Sequence, residues 1–192
     1  MKGGIDVAVA ENIFISLEQY ENMRKETNDI IEYIDGIVYM SPSPSTKHQR
    51  ISGRLQIKIG MYLEGKECEV FAAPYDIQLK KDDIEGNKIV IPDLSVICDK
   101  SGFEENKYVG VPKLIIEILS PSNQSHDLIT KFNLYMKYGV EEYWIVNPML
   151  NSIIVYTLND DGMYEQFDMK TLNGEITSKV MKGFSVNIEE LF

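Results

Sequence analysis

The 192 residues are enough to enclose a full hydrophobic core, and a composition of 44% hydrophobic and 26% charged residues is that of a globular protein. A formal charge of −11, from 30 acidic and 19 basic residues, argues against a broadly basic surface gripping nucleic acid through phosphates alone, while leaving room for a local basic groove or a metal-bridged phosphate. No run of about 18 apolar residues marks a membrane span. Residues 1–12 lack an apolar stretch behind a basic start and read as a short tail, not a signal peptide. Cys68 and Cys98 are too few for a disulfide framework or a zinc site, so a reducing cytoplasm is the natural compartment.

Along the chain, Ser16 followed by Gln19 forms a capping-box pattern that opens a helix running to about Lys25. Asp35-Gly36, between β-rich runs, predicts a hairpin over residues 29–40. After the Ser41-Pro-Ser-Pro-Ser45 loop, Ile51, Leu55, Ile59 and Tyr62 recur at helical spacing and predict a helix from about Thr46 to Glu64, with His48 one turn before Ile51 on the same face. Three strands are expected next, over 69–79, 88–98 and 113–119, with a charged turn at 80–87 between the first two. The near-continuous apolar character of the third suggests burial on both faces. A turn at 120–123 precedes a helix over 126–138, closed by Gly139. Tyr143–Val146 returns as a strand stopped by Pro148, and residues 152–167 form a hairpin around Asn159-Asp-Asp-Gly162. No repeat or linker divides the chain, and the order of elements predicts one α+β domain, a mixed central sheet flanked by helices.

Two carboxylates interrupt the strands that should be most buried. Asp93 breaks Ile89-Val-Ile-Pro-Asp-Leu-Ser-Val-Ile97, and Glu117 breaks Leu114-Ile-Ile-Glu-Ile-Leu119. An unpaired buried carboxylate costs several kcal/mol, roughly, unless a cation or a mechanism compensates. If the two strands are neighbours, both acids can face one point and leave a negative hole. A hard divalent ion such as Mg²⁺ fills such a hole with one or two carboxylates plus waters and a substrate phosphate. The plainer alternative is a solvent-facing residue or half of a salt bridge. Lys131, beside the apolar stripe Leu128, Phe132 and Tyr135, could reach the end of the strand that carries Glu117, or could equally extend its amine to solvent from a packed stem.

Glu32-Tyr-Ile-Asp-Gly36, His48 at a helix start, Pro92-Asp93, Glu117-Ile-Leu-Ser-Pro121, Lys131 and Tyr138-Gly-Val-Glu-Glu-Tyr-Trp144, in that order, resemble the Uma-two family of restriction-endonuclease-like proteins, across about residues 17–187. The resemblance implies the PD-(D/E)XK nuclease fold. It also implies Asp93 and Glu117 as metal-binding acids, helped by the Ile118 carbonyl, with Mg²⁺ or Mn²⁺ as the ion. The parent motif expects a lysine two residues after the glutamate, where this chain has Leu119; the family's displaced lysine matches Lys131. Glu32 matches the family's upstream acid, which would complete the metal shell or bind a second ion, although it could also be a hairpin residue facing water. His48 would lie near the metal waters or serve as a satisfied core histidine.

The expected function is metal-dependent hydrolysis of DNA phosphodiester bonds by a homodimer, the dimer by analogy with other nuclease-like folds. The leading alternative is a catalytically silent module that keeps the fold for binding or regulation, which the acidic balance favours. A glycosidase-like pairing of Asp93 and Glu117 is weaker, because the chain has one tryptophan, Trp144, and no sugar platform.

Overall fold

The structure is a computed structural model that describes residues 14–41, 43–121 and 125–192. The expected tail at 1–12, Pro42 of the Ser/Pro loop and residues 122–123 of the expected turn lie outside the described residues. Helix α1 (Leu17–Glu26) starts at the capping box: Ser16 Oγ accepts from the Gln19 amide, and Gln19 Oε1 accepts from the Ser16 amide. The hairpin β1 (Ile30–Ile34) and β2 (Ile37–Ser41) turns at Asp35 and Gly36, both at positive φ (47° and 94°), the backbone that an Asp-Gly pair accommodates. Helix α2 (Thr46–Leu63) buries Ile51, Leu55 and Ile59 of the expected stripe, but Leu63 completes it and Tyr62 is only half-buried.

The strand expected over 69–79 is two strands, β3 (Glu69–Ala72) and β4 (Asp76–Lys81), separated at the cis Ala73–Pro74 peptide. The charged turn shrinks to Asp82 and Asp83, because Ile84 already pairs with Lys81 at the start of β5 (Ile84–Val90). The strand expected over 88–98 is likewise broken: β5 ends before Pro92-Asp93 and β6 (Leu94–Ile97) follows in a different sheet. Pro92 cannot donate to a ladder, so the chain changes partners there. The remaining strands are β7 (Lys107–Val109), β8 (Leu114–Ile118), β9 (Glu142–Asn147), β10 (Ser152–Leu158), β11 (Tyr164–Thr171), β12 (Glu175–Thr177) and β13 (Ser185–Asn187). A π-helical turn, His126–Lys131, runs into α3 (Phe132–Tyr138), which closes on Gly139 at φ 90°.

One sheet has the order β2-β1-β5-β4-β7 and the other β11-β10-β9-β8-β6-β3, with β12-β13 as a separate ribbon. Parallel pairs β4–β7 and β8–β9 among antiparallel neighbours make both large sheets mixed. Strand β8 is buried along its whole length. Leu114, Ile116 and Ile118 pack with α2, whereas Ile115 and Leu119 pack with Tyr135 and Tyr138 of α3. The C-terminal segment closes the α2 side with Ile176, Phe184, Val186 and Ile188. No helix among the described residues is long and apolar enough to cross a membrane.

Cys68 and Cys98 are joined in a disulfide, where the sequence offered no disulfide framework. The antiparallel register pairs Glu69 with Ile97, so the residues just beyond those two meet at the sheet edge although 30 positions apart.

Candidate active site

The break at Pro92-Asp93 sets the site. Strand β6 pairs Leu94 with Ile116 of β8, and continuing that register by one residue brings Asp93 beside Glu117. Asp93 Oδ2 accepts the Ile118 amide at 2.7 Å, a main-chain donor that β6 leaves unpaired by ending. His48, projecting from the first turn of α2, places Nε2 3.1 Å from Asp93 Oδ1 and 3.2 Å from Oδ2. Burial works against the charged imidazole, but the Asp93 carboxylate and the Ile118 main chain outweigh it and hold the His48 pKa above its ordinary value.

Glu117 lies on the opposite face from Ile116, towards α3, and is 3% exposed. Its Oε1 accepts from Lys131 Nζ at 3.0 Å and from Tyr135 Oη at 2.8 Å. Lys131, 4% exposed, also sits 3.0 Å from Glu32 Oε1 and 3.5 Å from Asp127 Oδ1. It does not reach solvent. In a helix of α geometry Leu128 would share the buried stripe, but the π turn shifts the pattern: Leu128 is 41% exposed and Asp127 and Lys131 turn inward. Glu32, 1% exposed, is the middle residue of β1 and is fixed by the Ile91 amide, which donates to Oε1 at 2.7 Å. The structure therefore brings Asp93, Glu117, Ile118 and Lys131 together around one cleft of about 150 Å³, with His48 at its wall and Glu32 behind Lys131, outside the lining.

Sequence reasoning missed Asp127, His126 and Tyr135. Asp127 and Lys131 stand at i, i+4, the spacing of a helical ion pair, which was a usable signal. His126 stacks on Tyr39 with ring centroids 4.0 Å apart and places Nε2 3.4 Å from Glu32 Oε2, a distance without hydrogen-bond geometry.

Three carboxylates thus surround one lysine, and Asp93 stands beside Glu117 at their edge. Burial, opposed by Lys131 but reinforced by the neighbouring acids, pushes the Glu117 pKa well up, and Asp127 rises for the same reasons. Glu32 goes the other way: burial would raise it, but Lys131, His126 and the Ile91 amide together hold it down. Burial disfavours the Lys131 ammonium, yet Glu117, Glu32 and Asp127 overcome this and keep it firmly protonated. Among the described residues no three His, Cys, Asp or Glu side chains converge as a complete metal cage. The donors that do converge are hard oxygens in negative excess, and Glu32 Oε2 is buried without a hydrogen-bond partner. Such a set suits Mg²⁺, which keeps several waters and takes only one or two carboxylates.

The family model described as "Putative restriction endonuclease", Uma2, matches residues 17–189. This chain belongs to the Uma2 family. A Synechocystis sp. protein, slr1290, is 31% identical over 149 residues, 77% of this chain and 76% of that one. A second Synechocystis sp. protein, sll1609, is 22% identical over 179 residues, 92% of this chain and 99% of its own. A crystal structure from Anabaena variabilis, described as "a putative nuclease belonging to DUF820", superposes with a TM-score of 0.73 at 22% identity, covering 93% of this Uma2 chain and 97% of its own. The Uma2 chain thus has the restriction-endonuclease-like fold.

Proposed function

We propose that this Uma2 protein is a metal-dependent endonuclease that hydrolyses DNA phosphodiester bonds, with Mg²⁺ or Mn²⁺ as its ion. The observation that carries the reading is the excess of buried carboxylate around Lys131, left by strand β6 ending opposite Glu117. Asp93 and Glu117, with the Ile118 carbonyl, would hold the ion. When bound it would supply Lewis-acid polarisation of a phosphoryl oxygen and a more acidic water.

The chain's own residues do the rest. The Ile118 amide and His48 fix the Asp93 carboxylate from two sides, so its orientation is set before substrate arrives. Tyr135 and Lys131 both bond Glu117 Oε1, which leaves its other oxygen for the cleft. Lys131 has three protons to place. Two meet Glu117 and Glu32 at 3.0 Å, and the contact to Asp127 is longer at 3.5 Å, so that is the one exchanged for a phosphate oxygen or the attacking water. A preorganised ammonium there stabilises the charge that develops on the phosphorane. Glu32, tied to the Ile91 amide, holds Lys131 in register from below. The homodimer expected by analogy belongs to the same proposal, and sedimentation equilibrium tests it.

The test is cleavage of plasmid and single-stranded DNA with Mg²⁺ or Mn²⁺. Wild type nicks or degrades DNA, EDTA stops it, and Lys131→Met lowers the rate by 10²-fold or more, roughly the loss seen for removing one transition-state donor. Cleavage that survives Asp93→Ala combined with Glu117→Ala would refute the assignment. A second reading, a nuclease fold kept for binding without chemistry, draws on the net charge of −11. It requires a folded protein that binds no divalent ion.

A further inference from the structure

At the carboxyl ends of the parallel strands β8 and β9 the cleft adjoins a larger cavity of about 650 Å³. Ser43, His48 and Ser120 line both, so the two cavities are neighbours on either side of these residues. The walls of the larger cavity are apolar: Leu119 and Pro121 follow β8, and Pro148 and Met149 follow β9. Its volume lies within the range of about 300–1,000 Å³ of small-molecule sites, and crevices beyond the carboxyl ends of parallel strands are where such ligands sit.

The charges around it say what kind of contact it makes. The only Lys or Arg among the described residues lining the larger cavity is Lys47. Its amine donates to the Pro148 carbonyl at 2.5 Å and to Asn151 Oδ1 at 2.7 Å, and lies 5.5 Å from the centre of the Phe192 ring. Lys47 braces the Pro148 wall; it is not aimed at a phosphate track. The only Lys or Arg among the described residues lining the cleft is Lys131, enclosed by three carboxylates. With a chain charge of −11 and no Lys or Arg beyond these two on either lining among the described residues, phosphate contacts beyond the scissile one add little affinity here. The apolar walls instead suit bases, whose faces stack on rings irrespective of sequence, and His48 supplies a ring in this lining beside the aliphatic Leu119, Pro121, Pro148 and Met149. A base in a duplex is stacked on its neighbours and cannot enter a cavity, so only an unstacked one fits.

We infer that the cavity lined by Leu119, Pro121, Pro148 and Met149 is a subsite for an unpaired nucleobase next to the scissile phosphate, making single-stranded or locally unpaired DNA the substrate. This rests on the nuclease reading and adds to it the form of DNA that is bound. Met149 is half-exposed and Pro121 exposed, so a charge at either position leaves the core intact.

The experiment measures binding by fluorescence anisotropy, with Ca²⁺ replacing Mg²⁺ to hold back cleavage. The probes are a fluorescein-labelled single-stranded oligonucleotide, an abasic oligonucleotide of equal length, and a duplex. Wild type should bind the base-bearing strand about fivefold more tightly than the abasic strand, the lower end of the range for one base stacked, since the lining holds no Phe, Tyr or Trp among the described residues. Met149→Glu and Pro121→Glu should each bring that ratio to within about twofold, at unchanged melting temperature and unchanged Mn²⁺ affinity. Wild type that binds base-bearing and abasic strands equally, or binds duplex as tightly as single strand, overturns the subsite and leaves the nuclease reading standing. A ratio that both variants preserve does the same. Wild type that binds none of the three probes overturns the subsite and the nuclease reading together.

Discussion

Replacing Lys131 by methionine keeps the volume of the stem and removes the ammonium held among Glu32, Glu117 and Asp127. At 3.0 Å, each of the contacts to Glu32 and Glu117 is worth roughly 5 kcal/mol of Coulomb energy at an effective dielectric of about 20, before desolvation is subtracted. The net loss on deleting one partner of a buried pair is smaller, about 3–5 kcal/mol, because the stranded carboxylates can take up protons. Protonation makes that loss depend on pH, and its sign follows from the folded state. In wild type Lys131 lowers all three acid pKa values against burial and mutual repulsion. Without it, Glu32 joins Glu117 and Asp127 in having a folded pKa above the unfolded one. A raised acid binds more protons folded than unfolded, so stability is greatest below the ordinary carboxylate range and falls as pH rises towards the folded pKa, by about 1.4 kcal/mol per unit for each proton involved. Urea unfolding followed by the fluorescence of Trp144, the single tryptophan and fully buried, should therefore find Lys131→Met close to wild type near pH 5 and about 3–5 kcal/mol weaker at pH 8. Adding Glu32→Gln and Glu117→Gln to the same chain should recover much of the deficit. A single variant within about 1 kcal/mol of wild type at pH 8, with the same slope against pH, would show that Lys131 is not the counter-ion of this cluster.

Three other outcomes follow from parts of the molecule outside the cleft. Glu142 is fully buried and accepts from Trp144 Nε1 at 2.6 Å and from the Lys179 and Val180 amides at 2.7 and 3.0 Å, tying the C-terminal segment to β9; Glu142→Ala should cost about 3–5 kcal/mol and red-shift the tryptophan emission, with DNA cleavage per folded molecule retained. Reducing the Cys68–Cys98 bond, which closes a loop across 30 positions, should lower stability by about 2–4 kcal/mol in urea unfolding, and Cys98→Ser should match the reduced protein. Burial would raise the Asp168 pKa, but Lys170 and the Thr177 amide and hydroxyl outweigh it and hold the carboxyl below its ordinary value. Its contribution is thus complete above about pH 4 and lost as pH falls through the lower folded value, so Asp168→Asn should lower stability across the neutral region, with the deficit shrinking as pH falls below that point and the acid limb flattened accordingly.

The elements that could be read from the chain were those whose signals are local. The Ser16 box, the Asp35-Gly36 turn, the α2 stripe and the doubly buried β8 each depend on residues within a turn or two of one another. The strand breaks at Pro74 and Pro92 were not legible, since a run of apolar residues does not say that its two halves belong to different sheets. Yet the second break is what positions Asp93, because only a strand ending there frees the Ile118 amide for its carboxylate. Glu117 and Asp93 stood out as charges within apolar strands, but Glu142 in β9 is as deeply buried and has a structural role. The difference lies in the partners: peptide amides and an indole N–H satisfy Glu142, whereas Glu117 faces other acids. That distinction is three-dimensional. So is the π turn that carries Lys131 and Asp127 inward, since helical spacing counted as α geometry puts Lys131 at the edge of the stripe. The disulfide was hidden because its cysteines meet only through the pairing of β3 with β6.

The sharing of one divalent ion by Asp93 and Glu117 is tested most directly by calorimetric titration of Mn²⁺ into the wild-type chain, Asp93→Asn and Glu117→Gln. Wild type should bind one Mn²⁺ per chain in competition with Mg²⁺. At a concentration a hundred times the dissociation constant the ion should add about 2.7 kcal/mol of stability, and EDTA should remove it. Both variants should lose the binding while staying folded. A wild type that takes up no Mn²⁺ and whose melting ignores EDTA, or binding that both substitutions leave intact, would contradict the assignment of these two acids.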